Sequence, residues 1–274
     1  MSLLQAIIIA IVEGITEYLP VSSTGHMIIT SSLMGIHKQE FTKIFEVAVQ
    51  LGAILAVVVL YWRKFFDFKR WQFYVKLIIA VIPALVLGKL FSDKIDAMLE
   101  SPTTVAITLL LGGIVLLFID RLFTKNTIDT EARISVRRAF IIGLWQCLAM
   151  IPGMSRSASS IIGGMQQKLS RRLAAEFSFF LAVPTMCAAT GYTLFLKDIE
   201  IGGVKTKGYK VILESSENLT SFIVGNLTAF VVAMLAIKFF IGFLQRHGFR
   251  LFGWYRIIVG IALLILIWSG VIQS

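Results

Sequence analysis

Residues 13–26 read EGITEYLPVSSTGH and lie between the apolar runs AIIIAIV and MII. Glu13 and Glu17 stand at i and i+4, on one face of a helix aimed at the break that Pro20 makes. Ser22, Ser23 and Thr24 follow the break, and His26 lies three residues beyond Ser23. A second polar break, MIPGMSRSASS at residues 150–160, carries Arg156 between Ser155 and Ser157. The half-helices that start at SSTG and SRSA present free backbone N–H groups and serine hydroxyls where helix dipoles are positive. That arrangement binds anions, and with Arg156 as a planar fork the natural anion is phosphate. A diphosphate carries more charge than one arginine neutralises. The Glu13/Glu17 pair therefore predicts a divalent cation, Mg2+ or Ca2+, held with substrate oxygens, while one carboxylate handles protons. His26 is either the nucleophile, through a phospho-imidazole, or a base that activates Ser23 or water. The residues leave both roles open.

These groups must be positioned by a very apolar chain. Of its 274 residues 57% are hydrophobic and 15% charged, with a mean hydropathy of +0.83, which marks an integral membrane protein rather than a soluble domain. Six stretches reach the length needed to cross a ~30 Å hydrocarbon core as helix: about 41–62, 72–91, 103–120, 173–196, 219–241 and 254–271. The first apolar run carries Glu13 and Glu17 and no small-residue cleavage site, so it reads as a retained segment. Cys147 and Cys187 lie in apolar segments and read as core residues without disulfide or metal-ligand spacing.

Segments 3–34 and 136–170 are hydrophobic but broken halfway, the signature of re-entrant helix pairs. They also resemble each other: AIIIAIVEGITEYLPVSS and AFIIGLWQCLAMIPGMSR share their apolar pattern, a proline at the break and a serine just beyond. Downstream, Glu46 in FEVAVQLGA parallels Glu176 in AEFSFFLAV. Both glutamates read as structural tethers. The expected fold is an all-α polytopic membrane protein of six spans plus two re-entrant hairpins. It forms a single membrane domain, with repeat one at 1–122, a linker at 123–133 and repeat two at 134–274. Three spans per repeat is odd, so the repeats should have inverted topology.

Seventeen lysines and arginines, from Arg63 and Lys64 through Lys125 to Arg256, fall on one side of this plan. Eight fall on the other, offset by eight acids that include Glu100. The first side is then cytoplasmic. This places both termini outside and brings the two broken tips together at mid-membrane, with the site opening to the outer face. There Glu13, Glu17, His26 and Arg156 would each cost about 2.5–3.5 kcal/mol unless paired or wet. The basic loops read as topology signals and anionic-lipid contacts, so the net charge of +10 does not imply nucleic acid. The stretch DIEIGGVKTKGYKVILESSEN alternates enough for a small external hairpin.

EGITEYLPVSSTGH and PGMSRSASS together resemble the bacterial undecaprenyl-diphosphate phosphatase family, the integral-membrane type associated with bacitracin resistance. The resemblance spans essentially the whole chain. It departs at Tyr18, where the family more often has Phe or Trp, and at Ala158 and Ser160, where Gly and Thr are common. The resemblance implies hydrolysis of a C55 polyprenyl diphosphate to the monophosphate and inorganic phosphate in the bacterial inner membrane, with a divalent cation. It implies a catalytic set of Glu13, Glu17, Ser23, His26 and Arg156, with Ser22, Thr24, Ser155 and Ser157 lining the phosphate pocket. The partners expected are the lipid substrate and membrane lipids, with a homodimer left open. The competing reading is a secondary transporter or flippase for an anionic lipid phosphate, because inverted repeats with broken helices at midplane also describe transporters. A transporter needs no nucleophile, and the Glu, Ser, His and Arg constellation favours hydrolysis.

Overall fold

The computed structural model describes residues 1–99, 101–124, 126–201 and 203–272. Lys125 and Glu100, both used in the charge count, lie outside them. Six helices among the described residues are long and apolar enough to cross a membrane: α3 (Glu40–Leu60), α4 (Trp71–Leu90), α5 (Pro102–Leu122), α8 (Arg171–Leu196), α9 (Ser216–His247) and α10 (Arg250–Trp268). They coincide with the six expected spans. Two pairs of shorter helices complete the bundle. α1 (Leu3–Thr16) leads to α2 (Ser23–Leu33), and α6 (Val136–Gln146) leads to α7 (Arg156–Gln166). At 1.5 Å per residue, 14 residues reach only about 21 Å, too short to span.

The two pairs are alike at their caps. Ser2 and Ser135 cap α1 and α6 with the same backbone angles, φ −76° and ψ 159°. Ser22 and Ser155 cap α2 and α7 from a positive φ of 73°, and Gly35 and Lys168 follow at 68° and 69°. Each residue of the second group lies 133 positions after its counterpart. In register, Glu13 matches Gln146, Glu17 matches Met150, and Ser23 matches Arg156.

Packing is reciprocal as well. α1 lies along α9 while α6 lies along α4, and α5 pairs with α10. Glycine permits the close approaches: a Cβ at Gly14 would meet the backbone of Ala229, and one at Gly143 the backbone of Ala80. In a bilayer, where tails are as apolar as leucine, such backbone proximity drives association. An aromatic and aliphatic core around Tyr18, Phe179, Phe180 and Phe240 fills the space between.

At one end of the bundle the basic residues form an ion-pair lattice. Lys64 reaches Glu131 and Glu176, each at 3.4 Å, Arg70 reaches Glu131 at 2.6 Å, and Arg172 reaches Glu176 at 2.9 Å. Glu176 is thus a tether, as its position suggested. Between α8 and α9 a two-stranded hairpin, β1 (Asp198–Ile201) with β2 (Val204–Lys207), forms where alternation predicted it. Asp198 and Lys207 close it at 2.7 Å, and that ammonium holds the Asp198 carboxyl below the usual range. Two expectations need correction. Cys187 is exposed and Cys147 only half-buried, so neither is a core residue. Arg256, counted with the loop charges, is fully buried within α10.

Candidate functional site

Each break begins where a helix can no longer continue. Pro20 and Pro152 lack an N–H and push the preceding residue out of the α region. The chain then turns through a serine at positive φ, a conformation that costs a residue with a Cβ of order 1–3 kcal/mol and that clusters at functional sites. Capping offsets part of the cost: Ser22 Oγ accepts from the N–H of Gly25 at 3.3 Å and Ser155 Oγ from that of Ala158 at 3.2 Å. The first N–H groups of α2 and α7 have no intrahelical acceptor, and among them those of Gly25 and Ala158 are taken up by the capping serines.

At that junction Arg156 donates from Nε at 3.2 Å and from Nη2 at 2.8 Å to Oε1 of Glu17, and from Nη1 to the carbonyl of Ser178 at 2.8 Å. Oε2 of Glu17 accepts from Ser23 Oγ at 2.6 Å. Hydroxyl, carboxylate and guanidinium form one chain, each buried. The guanidinium carbon also sits 5.9 Å from the Tyr18 ring centroid, where an aromatic face attracts a cation.

Glu13, one turn before Glu17, is completely buried, and neither of its carboxylate oxygens has a hydrogen-bond partner. Its polar neighbours are Glu17, Arg156 and Ser23. A buried carboxylate without partners is costly, and a hard cation with oxygen ligands would relieve it. Among the described residues no group of three or more His, Cys, Asp or Glu side chains could hold a metal. Glu13 and Glu17 with the Ser23 hydroxyl would supply the protein ligands, leaving positions for phosphate oxygens and water, as Mg2+ prefers.

The other expected residues divide. Ser155 and Ser157 share a hydrogen bond at 3.0 Å, and Ser157 Oγ donates to the Leu19 carbonyl at 2.7 Å, tying the second tip to the first break. Thr24 and His26 are the half-buried members, at the rim. The His26 ring does not join the carboxylates: Nδ1 lies 2.8 Å from the Ser22 carbonyl and Nε2 lies 2.8 Å from the Tyr255 hydroxyl on α10.

Three contributors escaped sequence reading. On α8, the carbonyl of Ser178 accepts from Arg156 and its hydroxyl oxygen accepts from Ser160 Oγ at 2.7 Å. Tyr255 meets His26. Arg256 donates to the carbonyls of Pro20, Gly153 and Met154, at 3.3, 2.7 and 3.1 Å, and to those of Thr108 and Leu109. It thereby gathers both breaks onto one side chain. Gly112 makes room for it, since a Cβ there would run into the guanidinium. The only available signal was an arginine inside an otherwise apolar span.

The sequence matches the family described as "Bacitracin resistance protein BacA" over residues 6–262. It is 56% identical over 266 residues to an undecaprenyl-diphosphatase of Flavobacterium psychrophilum, covering 97% of this chain and 96% of the relative. It is 54% identical over 268 residues to one of Flavobacterium johnsoniae, with the same coverage. With one of Porphyromonas gingivalis it shares 50% over 293 residues, covering 99% of each.

Proposed function

The chain belongs to the bacitracin resistance protein BacA family, and on that premise we propose how its site turns over a lipid diphosphate. It is an undecaprenyl-diphosphatase of the membrane: it hydrolyses undecaprenyl diphosphate to undecaprenyl phosphate and inorganic phosphate, returning the carrier lipid of cell-wall synthesis. The family supports this activity over the transporter reading.

The observation that carries the mechanism is the 2.6 Å hydrogen bond from Ser23 to Glu17, a nucleophile already on its base. Ser23 Oγ attacks the terminal phosphorus in line, and its proton passes to Oε2 of Glu17. The bridging P–O bond breaks and undecaprenyl phosphate leaves. Water then attacks the phosphoserine with His26 as base, and Glu17 returns its proton to Oγ as the Oγ–P bond breaks. Arg156 and the N–H groups at the starts of α2 and α7 hold the transferring phosphoryl group, where fixed positive charge in a water-poor site supplies most of the rate. Glu13 and Glu17 would bind the divalent cation, Mg2+ or Ca2+, which when present offsets the charge of the diphosphate oxygens. Ser22, Thr24, Ser155 and Ser157 shape the cradle.

In the same reading the two broken helix pairs are re-entrant hairpins in an inverted repeat, within one domain divided at residues 123–133. The constant offset of 133 residues and the reciprocal packing of α1 on α9 and α6 on α4 support this. The loop charges support termini outside and a site opening to the outer face. The assembly to be compared with a monomer is a homodimer.

The test is phosphate release from C55 diphosphate in detergent. Ser23→Ala should abolish it, and His26→Ala should release about one undecaprenyl phosphate per chain in a burst and then stall with phosphoserine retained. Steady turnover by Ser23→Ala would overturn Ser23 as nucleophile.

A further inference from the structure

Histidine carries one donor and one acceptor nitrogen when neutral. The carbonyl of Ser22 can only accept, so its 2.8 Å contact with Nδ1 fixes the proton of the neutral His26 ring on Nδ1. The lone pair is then on Nε2, and the Tyr255 hydroxyl lies on it at 2.8 Å. The two rings have centroids 5.5 Å apart and planes 6° from parallel, so the hydroxyl is held by packing as well as by its hydrogen bond. Glu13, Glu17, Ser23 and Arg156 are buried, while His26 is half-buried and Tyr255 is 43% exposed. The seam between α2 and α10 is therefore where the site meets its surroundings. With Nδ1 committed to the Ser22 carbonyl, the one lone pair of the neutral ring is covered by the Tyr255 hydroxyl, so a proton reaches Nε2 through that oxygen.

We infer that Tyr255 is a catalytic proton relay between the attacking water and His26. Resting on the two-step reading above, it acts in the second step. The water oxygen bonds to phosphorus as the Ser23 Oγ–P bond breaks. The water proton passes to the tyrosine oxygen while the tyrosine's own proton passes to Nε2, so the phenol is regenerated and the charge resides on the imidazole. Tyrosine and water chains are established general acid–base partners, and such transfers contribute about 10²–10⁴-fold.

Tyr255→Phe keeps the ring and removes only the relay. Its expected behaviour is a full burst of undecaprenyl phosphate, steady turnover reduced about tenfold or more, and a KM for C55 diphosphate within about twofold of the unmodified chain. In the unmodified chain, ¹⁵N spectra should show neutral His26 protonated at Nδ1, with His26→Ala identifying its signals among the three histidines. Steady turnover of Tyr255→Phe within twofold of the unmodified chain overturns the relay, as does loss of its burst or a neutral His26 protonated at Nε2. Full turnover in His26→Ala removes His26 as the base of the second step, and the relay with it; steady turnover in Ser23→Ala overturns the two-step reading itself. An intact burst in His26→Ala beside normal turnover in Tyr255→Phe removes the relay alone.

Discussion

Arg156 and Glu17 meet across 139 positions of sequence, with two guanidinium nitrogens on a single carboxylate oxygen. Both side chains are less than a tenth exposed, so neither charge has water as an alternative partner. Removing one partner of a buried pair leaves the other uncompensated and costs about 3–5 kcal/mol. Arg156→Ala should lower both the denaturation midpoint in detergent and phosphate release, the latter by at least about 100-fold. The double change Glu17→Leu with Arg156→Met should recover much of the stability and none of the turnover. A double variant no more stable than Arg156→Ala would show that the pair does not behave as a buried ion pair.

Glu13 makes the opposite forecast. With no hydrogen-bond partner for either oxygen, Glu13→Gln removes a buried charge and should leave the fold as stable or more so. The cation concentration giving half-maximal phosphate release should rise about tenfold or more. EDTA should silence the unmodified chain. An unchanged cation dependence in Glu13→Gln would take this carboxylate out of the cation site.

Arg256 satisfies five carbonyls, and a lysine has three donors on one nitrogen. Arg256→Lys should therefore destabilise, and Arg256→Met should do so more, at about 1–3 kcal/mol per carbonyl left dry. Gly112→Ala should act in the same direction by pressing on the guanidinium. Equal thermal midpoints for Arg256→Met and the unmodified chain would rule out this bracing role.

Ser22 separates a cap from a strained backbone. Ser22→Gly loses the side-chain acceptor of Gly25 N but relaxes the positive φ, so it should cost only a few tenths of a kcal/mol. Ser22→Ala loses the cap and keeps the strain, at about 1 kcal/mol or more. The same order is expected at Ser155, read by denaturation in detergent. If Gly proved worse than Ala at both positions, the hydroxyl would be acting on something other than the helix cap.

The six spans were legible because length and apolarity alone specify a bilayer-crossing helix, and the breaks because proline and clustered hydroxyls interrupt it. Glu13, Glu17 and Arg156 could be placed together, and His26 was grouped with them, because ionisable groups inside a membrane span have few bland explanations; Ser23 came from the serine run at the break. What escaped was anything set by rotation of one helix against another. Arg256 read as a loop charge because periodicity in an apolar span does not say which face meets a break. Tyr255 and Ser178 were invisible for the same reason, since an aromatic or a lone serine is ordinary in a lipid-embedded helix. His26 was legible as part of the first break, but its separation from the carboxylates depends on the carbonyl of Ser22, which no side-chain pattern encodes.

The register of the two helix pairs also sets a timetable. The segment that holds Glu13 and Glu17 leaves the ribosome first, and the guanidinium that neutralises Glu17 follows 139 residues later, a delay of about 7–28 s at roughly 5–20 residues per second. During that interval two acids await insertion without their counter-charge, so they stay hydrated or take up protons. The first helix pair therefore cannot settle dry as it emerges. It matures only when the second break arrives, and a nascent chain halted before residue 156 should leave its amino-terminal segment accessible to water-soluble labels that the finished protein excludes.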